Sequence, residues 1–196
     1  MLNLNNPVSF TIDEQTHISN ILKPLGTKGW SKGDHKTKKI KHKISVHTLQ
    51  QQGCRCAYCE RILEKGGVQI EHIAPKESNG NFCYEPLNLV SSCSVCNAIA
   101  NKGSKDTILA PKQGNYVNNN FTIVHPYLDD PDIHIKYQDP DRLLFDTALC
   151  TPQGLNTIDI FNWDTVNAST ARIIIARSRN IPINIAQLIL EISLYK

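Results

Sequence analysis

The sequence lacks any apolar run long enough to cross a bilayer. Its most hydrophobic stretches, Arg172 to Ala176 and Ile181 to Leu190, are bounded or broken by Arg, Pro, Asn or Gln. No transmembrane helix is expected, and no membrane partner. The opening segment MLNLNNPVSF has neither the positive flank nor the apolar core of a secretory signal, so a cytoplasmic location with reduced cysteines is expected. Acids are nearly missing between Lys23 and Lys43, where eight lysines stand against Asp34 alone. Bases are scarce from Pro126 to Asp164, where eight aspartates face Lys136 and Arg142. Internal repeats and low-complexity segments are absent too, which excludes a repeat array.

What remains is a chain of 196 residues, 40% apolar, long enough to bury one compact core with appended elements. The net charge of +3 is small but segmented. A lysine cluster is a phosphate-binding surface or a solvated helix face. Residues 1–35, rich in Asn, Pro, Gly and Thr, read as an irregular arm. From Lys36 to Gln52 the residues Ile40, Ile44, Val46 and Leu49 lie on one helical stripe among lysines, with Gly53 as a stop. Short strands are expected at 68–73 and Leu87 to Val90, then a short helix from Ser94 to Lys102. Beyond Gly103, strands are expected at Phe121 to Val124, Ile133 to Tyr137 and Arg142 to Phe145. A helix follows Asp164 as N-cap, and a last one runs from Ile183 to Leu194. The fold class is α+β, in three parts: the arm 1–35, a basic helix with its core 36–103, and a mixed extension 104–196 packing on the core or on a partner.

Cys56 and Cys59 form one C-x-x-C pair and Cys93 and Cys96 another. In a reduced chain this pattern is a structural zinc site. Zn²⁺ takes four thiolates tetrahedrally, and two intervening residues let a tight turn present both sulfurs. Cys54 offers an alternative to Cys56, and Cys54, Cys83 and Cys150 otherwise read as free thiols. The 33 residues between the pairs exceed a simple zinc ribbon, so something else is housed there.

That interval carries Glu71-His72, then Asn88, with Asn97 directly after the second pair and Lys102 beyond it. The series CAYC, EHIAP, PLNLV, C-x-x-CN and Lys resembles the HNH endonuclease superfamily. The resemblance implies a ββα-metal core clamped by the zinc, with Glu71 and His72 as the acid–His pair, Asn88 as the central Asn and Asn97 as the terminal residue. The basic helix, the segment HPYLDDPDIHI and the late TIDIFNWDTVNASTARIIIARSR are similar to HNH proteins of bacterial anti-phage systems, the Septu and retron-associated group. There an ABC-type ATPase is the implied partner.

Chemistry supports the same roles. Phosphodiester hydrolysis needs an activated water and charge neutralisation at the phosphate. His72 can act as general base. Glu71 and Asn97 offer hard oxygen ligands for a catalytic Mg²⁺ or Mn²⁺. Neighbours on a strand point to opposite sides, so Glu71 and His72 share one site only where the strand ends or bulges. Asn88 would brace the loop backbone, and Lys102 or Asn101 would contact phosphate. Lys36, Lys38, Lys39, Lys41 and Lys43 are the expected contacts to double-stranded DNA, with the acidic stretch facing solvent or a partner. His17, His35, His42, His47, His125 and His134 read as surface or structural residues. The expected function is a metal-dependent DNA endonuclease leaving 5′-phosphate and 3′-hydroxyl ends. The alternatives are a zinc-dependent nucleic-acid-binding module without cleavage and an RNA or tRNA nuclease on the same core.

Overall fold

Thr11 begins the first helix through a capping box: its hydroxyl accepts from the Glu14 backbone amide while the Glu14 carboxylate accepts from Thr11 N. The result is α1 (Ile12–Leu25), followed by a 3-10 helix over Gly26–Ser31. The expected irregular arm is therefore corrected. Its helix start is a Thr-x-x-Glu signal, and Ile18 and Ile21 bury one face. The chain is described by a computed structural model covering residues 1–64 and 66–179 together with 184, 185, 187, 188 and 191.

α2 (His35–Gln51) starts at Asp34, whose carboxylate accepts from Lys36 N and Thr37 N. Its buried stripe is Thr37, Ile40, Ile44, Ser45, Thr48 and Leu49, so Val46 drops out and polar residues enter. The reason lies in what α2 covers. Beneath it runs β2 (Leu89–Cys93), which pairs antiparallel with β1 (Val68–His72) from Val68↔Cys93 to His72↔Leu89. β2 is buried along its length. The Gln52 side chain acts there as a surrogate strand, donating to Ser91 O at 2.7 Å and accepting from Ser91 N at 2.8 Å. Thr48 Oγ1 and Ser91 Oγ lie 2.7 Å apart. A helix thus seals an exposed sheet edge with side-chain polar groups.

The expected helix Ser94–Lys102 is absent; the segment is a run of turns. Ala98 N and Asn101 N bond three residues back, and Lys102 N reaches Cys96 O. The chain here delivers Cys96 to the sulfur cluster and, six residues on, Lys102 to the interior. At about 100° per residue, positions six apart on an α-helix diverge by about 240°, so a single helix face cannot serve both. Gly103, at φ +45°, closes the run; a side chain there would meet Ile99.

In the extension, the expected strands reduce to the isolated bridges Ile108↔Phe121 and Tyr137↔Phe145. The segment 133–137 begins instead inside the helical turn α3 (Pro131–His134), N-capped by Asp130. A helix the sequence reading missed, α4 (Pro152–Ile160), is capped by Thr151, and its Gly154 fits against the His134 carbonyl where no side chain would. α5 (Val166–Ser178) is N-capped by Thr165 in place of Asp164. The expected last helix at 183–194 lies outside the described residues except at scattered positions. One buried cluster joins Leu49, Tyr58, Leu63, Ile73 and Val90 of the core to Ile123, Val124, Ile158, Phe161 and Trp163 of the extension. A second holds α1, α2 and Trp30 against Leu89. No helix among the described residues is long and apolar enough to cross a membrane.

Ile44 has no exposed surface, whereas Val46 is half-buried. Ile44→Ala is expected to cost about 2–5 kcal/mol and Val46→Ala under about 1 kcal/mol, read from urea unfolding midpoints at constant m.

Candidate metal and histidine site

The first C-x-x-C pair sits on a knuckle in which Cys56 N donates to Arg61 O and Leu63 N to Cys54 O, both at 2.8 Å, with the return turn made at Glu60, φ +62°. The second pair begins at the last residue of β2, and Cys96 N donates to Cys93 Sγ at 3.4 Å. The four sulfurs lie within 4.8 Å of one another, and Cys59 Sγ is 3.8 Å from Cys93 Sγ. Tetrahedral zinc with bonds of about 2.3 Å needs sulfur separations of about 3.8 Å, so the cage fits Zn²⁺. Without a metal the four thiols share their protons unequally: hydrogen bonds from their neighbours hold Cys93 and Cys59 below the ordinary thiol range, while Cys56 and Cys96 are pushed above it, Cys56 chiefly by burial and Cys96 by its sulfur neighbours. Cys54 stands outside this cage, which closes the alternative ligand set; its thiol, buried at a positive φ of 54°, is pushed up by desolvation.

Glu71 and His72 part company. The pairing of β1 with β2 is regular, without a bulge, so the two side chains leave on opposite faces. On one face the Glu71 carboxylate meets the Lys102 ammonium. Lys102 has no exposed surface; its ammonium also donates to His72 O at 2.7 Å. Burial raises the Glu71 pKa against the lowering effect of Lys102. Lys102 is thus a strut under the acid–His strand, and its expected contact with phosphate is corrected: in this conformation its ammonium is walled in. Asn97 lies half-buried and donates its amide to Gln69 Oε1 at 2.7 Å. Gln69 shares a face with Glu71, two residues away. The Glu71 carboxylate is neutralised by a lysine, and among the described residues the four cysteines are the one group of three or more His, Cys, Asp or Glu side chains close enough to hold an ion.

On the other face His72 packs edge-on against Trp30, ring centroids 4.5 Å apart, and its Nε2 donates to Cys83 O at 2.9 Å. That bond places the ring proton on Nε2 and leaves Nδ1 as the lone-pair nitrogen. The residue is 6% exposed. Burial pulls its pKa down to about 4, and the nearby charges of Lys76 and Lys102 push the same way. The imidazole is neutral at physiological pH.

Asn88, fully buried, ties the loop between the strands. Its amide donates to Ala74 O and Phe82 O at 3.0 and 2.8 Å, and its Oδ1 accepts from Ala74 N at 2.6 Å. The Phe82 carbonyl it grips is next to the Cys83 carbonyl that orients His72. Sequence reasoning missed Trp30, Lys76 and Cys83 here. The Cys83 contribution is a backbone oxygen, to which side-chain identity gives no clue.

Of the five expected DNA-contacting lysines, Lys36, Lys38 and Lys39 are exposed. Lys43 pairs with Glu14 at 2.6 Å and Lys41 lies over the Trp30 ring at 5.0 Å. The aspartates of the extension serve locally as well: Asp129 accepts from His125 N, Asp130 caps α3, Asp132 pairs with Arg142, and Asp139 accepts from Leu143 N and Leu144 N.

Fold and site together define an α+β protein whose small hairpin is clamped by a four-cysteine metal cage and carries a buried, oriented histidine. No family model matches the chain. Over 95 residues, 47% of the chain, it is 30% identical to the Septu protein PtuB of Bacillus thuringiensis. The match spans 32% of that protein's length.

One zinc per chain is expected by elemental analysis. Cys96→Ser should release it and unfold the hairpin, seen as loss of near-ultraviolet dichroism; a folded, zinc-free parent would overturn the cage. Lys102→Met strands the Glu71 carboxylate in the core and should cost about 3–5 kcal/mol, with much of it restored by adding Glu71→Gln. An additive pair in that cycle would show that the two groups act independently.

Proposed function

We propose that the chain is an HNH-type endonuclease that hydrolyses phosphodiester bonds with His72 as general base. The observation that carries this reading is the state of the imidazole: neutral, tautomer set by Cys83 O, and Nδ1 free of a protein partner among the described residues. A nitrogen so arranged takes a proton from water and aims the resulting hydroxide. Asn88 positions the loop that holds Cys83, and Lys102 positions the strand that ends in His72. Exposed Lys36, Lys38 and Lys39 on α2 supply backbone contacts to double-stranded DNA. The likeness to a Septu protein supports a place in an anti-phage system; the nuclease role, and an ABC-type ATPase as partner, are our proposal.

With Glu71 held by Lys102, the proton transfer rests on this chain's own groups. A catalytic Mg²⁺ or Mn²⁺ at Glu71 and Asn97 would first require Lys102 to release the carboxylate. The paired state of Glu71 favours a second reading, a zinc-dependent nucleic-acid-binding module without cleavage.

Zinc-loaded protein in metal-depleted buffer, given plasmid DNA or structured RNA with and without Mg²⁺ or Mn²⁺, separates the readings. Cleavage is expected, and His72→Ala should lower it by about 10²- to 10⁴-fold while zinc content and DNA affinity stay unchanged. The parent kcat/KM, which reports the free protein, should hold from neutral pH downward and fall as pH drops through about 4, where Nδ1 gains its proton. Binding without cleavage under every condition would establish the module; cleavage of RNA alone would move the substrate class. Neutralising Lys36, Lys38 and Lys39 should reduce the salt slope of DNA binding by roughly one unit for each phosphate these lysines neutralise in the parent.

A further inference from the structure

A buried chain of hydrogen bonds runs from the extension to the hairpin loop, and its polarity is set at every link. Tyr127 N donates to His125 Nδ1 at 3.1 Å, so the His125 ring proton resides on Nε2. Nε2 lies 2.9 Å from the Tyr116 hydroxyl and must donate to it. The single hydroxyl proton is then free for Asn88 Oδ1, 2.9 Å away. His125 is wholly enclosed and Tyr116 is 3% exposed. Burial pulls His125 down to about 3, which keeps it neutral and preserves this polarity. The far end is anchored as well: His125 N donates to Asp129 Oδ2 at 2.7 Å, and the same oxygen accepts from Gln153 of α4 at 2.9 Å.

The links run in one direction: without the Tyr116 hydroxyl, His125 Nε2–H loses its acceptor and Asn88 Oδ1 is left with the bond from Ala74 N alone. The near end matters most. Asn88 grips Phe82 O, and the next carbonyl, Cys83 O, holds His72 Nε2–H. Two parts of the sequence far from each other along the chain are thereby joined at the loop that sets the imidazole.

We infer that Tyr116 and His125 are positioning residues for His72, acting through Asn88 and the 82–83 carbonyls, so that the extension sets the orientation of the histidine. The inference rests on the nuclease reading for its kinetic consequence, but its structural content stands apart from that reading.

Tyr116→Phe removes one hydroxyl at nearly constant volume. His125→Gln keeps a donor near Nε2, whereas His125→Leu removes it. The His72 ring is followed by nuclear magnetic resonance in the full chain with zinc bound, and cleavage of a DNA duplex is measured in parallel. In Tyr116→Phe and His125→Leu the His72 Nε2–H proton is expected to exchange faster as water enters the loosened loop, and kcat should fall roughly tenfold or more with KM little changed. His125→Gln should restore much of both. If the Nε2–H proton exchanges as in the parent in both variants while only the melting temperature drops, the chain is structural support alone and the inference is overturned. Should the parent cleave neither DNA nor RNA, the nuclease reading fails; the exchange measurement still decides whether the extension orients His72.

Discussion

The four-sulfur cage is the constraint on which the rest depends. A hairpin of two five-residue strands is marginal in water, and the loop between these strands spans residues 73–88. The cage pins the end of β2 to the knuckle at 54–63, which continues directly from α2 through Gln52. Helix, knuckle and hairpin then move as one piece. Gln52 and Thr48 pair with Ser91 where Cys93, two residues further along β2, meets the knuckle thiols in the four-sulfur cage. With the strand edge so covered, the loop can devote its buried polar groups to Asn88 and His72.

A second constraint follows from the pleat. Regular pairing sends Glu71 and His72 to opposite sides, so the acid–His dipeptide cannot converge on one atom without a bulge. The acid is neutralised from below by Lys102, and the base is walled by Trp30 and oriented by Cys83 O. Two charges in the interior are tolerable only as a pair with further hydrogen bonds. Lys102 meets that condition through His72 O. The same lysine thereby links the two faces: it holds the carboxylate by charge and the histidine by its backbone.

What could be read from the sequence was whatever rests on spacing and residue chemistry. The cysteine pairs, the basic helix and the order of the two strands are of this kind, because period and ligand geometry are local. Asn88 as a brace was legible because a buried Asn in a turn-rich loop bonds backbone. The missing helix at 94–102 was not legible, since its pattern is helical and only the dual demand of Cys96 and Lys102 forbids it. α1 was missed although Thr11 and Glu14 spell a capping box, the Asn- and Pro-rich surroundings having outweighed it. His125 read as structural, and its place between Tyr116 and Tyr127 is the product of a long-range fold that no local period encodes. The aspartates of the extension read as a charged surface, yet Asp129, Asp130 and Asp139 are turn and cap acceptors, a role that short acids share with Asn.

Within the proposed reading, the low pKa of His72 has a chemical consequence. A base of pKa about 4 is almost wholly available at neutral pH but weak, whereas the best catalytic base titrates near the working pH. Burial is the largest cause of the depression, and Lys76 adds to it. Lys76 is already paired with Glu77, whose charge acts on His72 in the opposite sense; a phosphate beside the ring would add to that effect, stabilise the imidazolium and raise the basicity of Nδ1 when substrate is present. The resting protein would then hold its base in a weak form, and the anion to be cleaved would strengthen it. Linkage makes the effect reciprocal: a phosphate that raises the His72 pKa binds more tightly to the protonated ring, so affinity and basicity are coupled through one nitrogen.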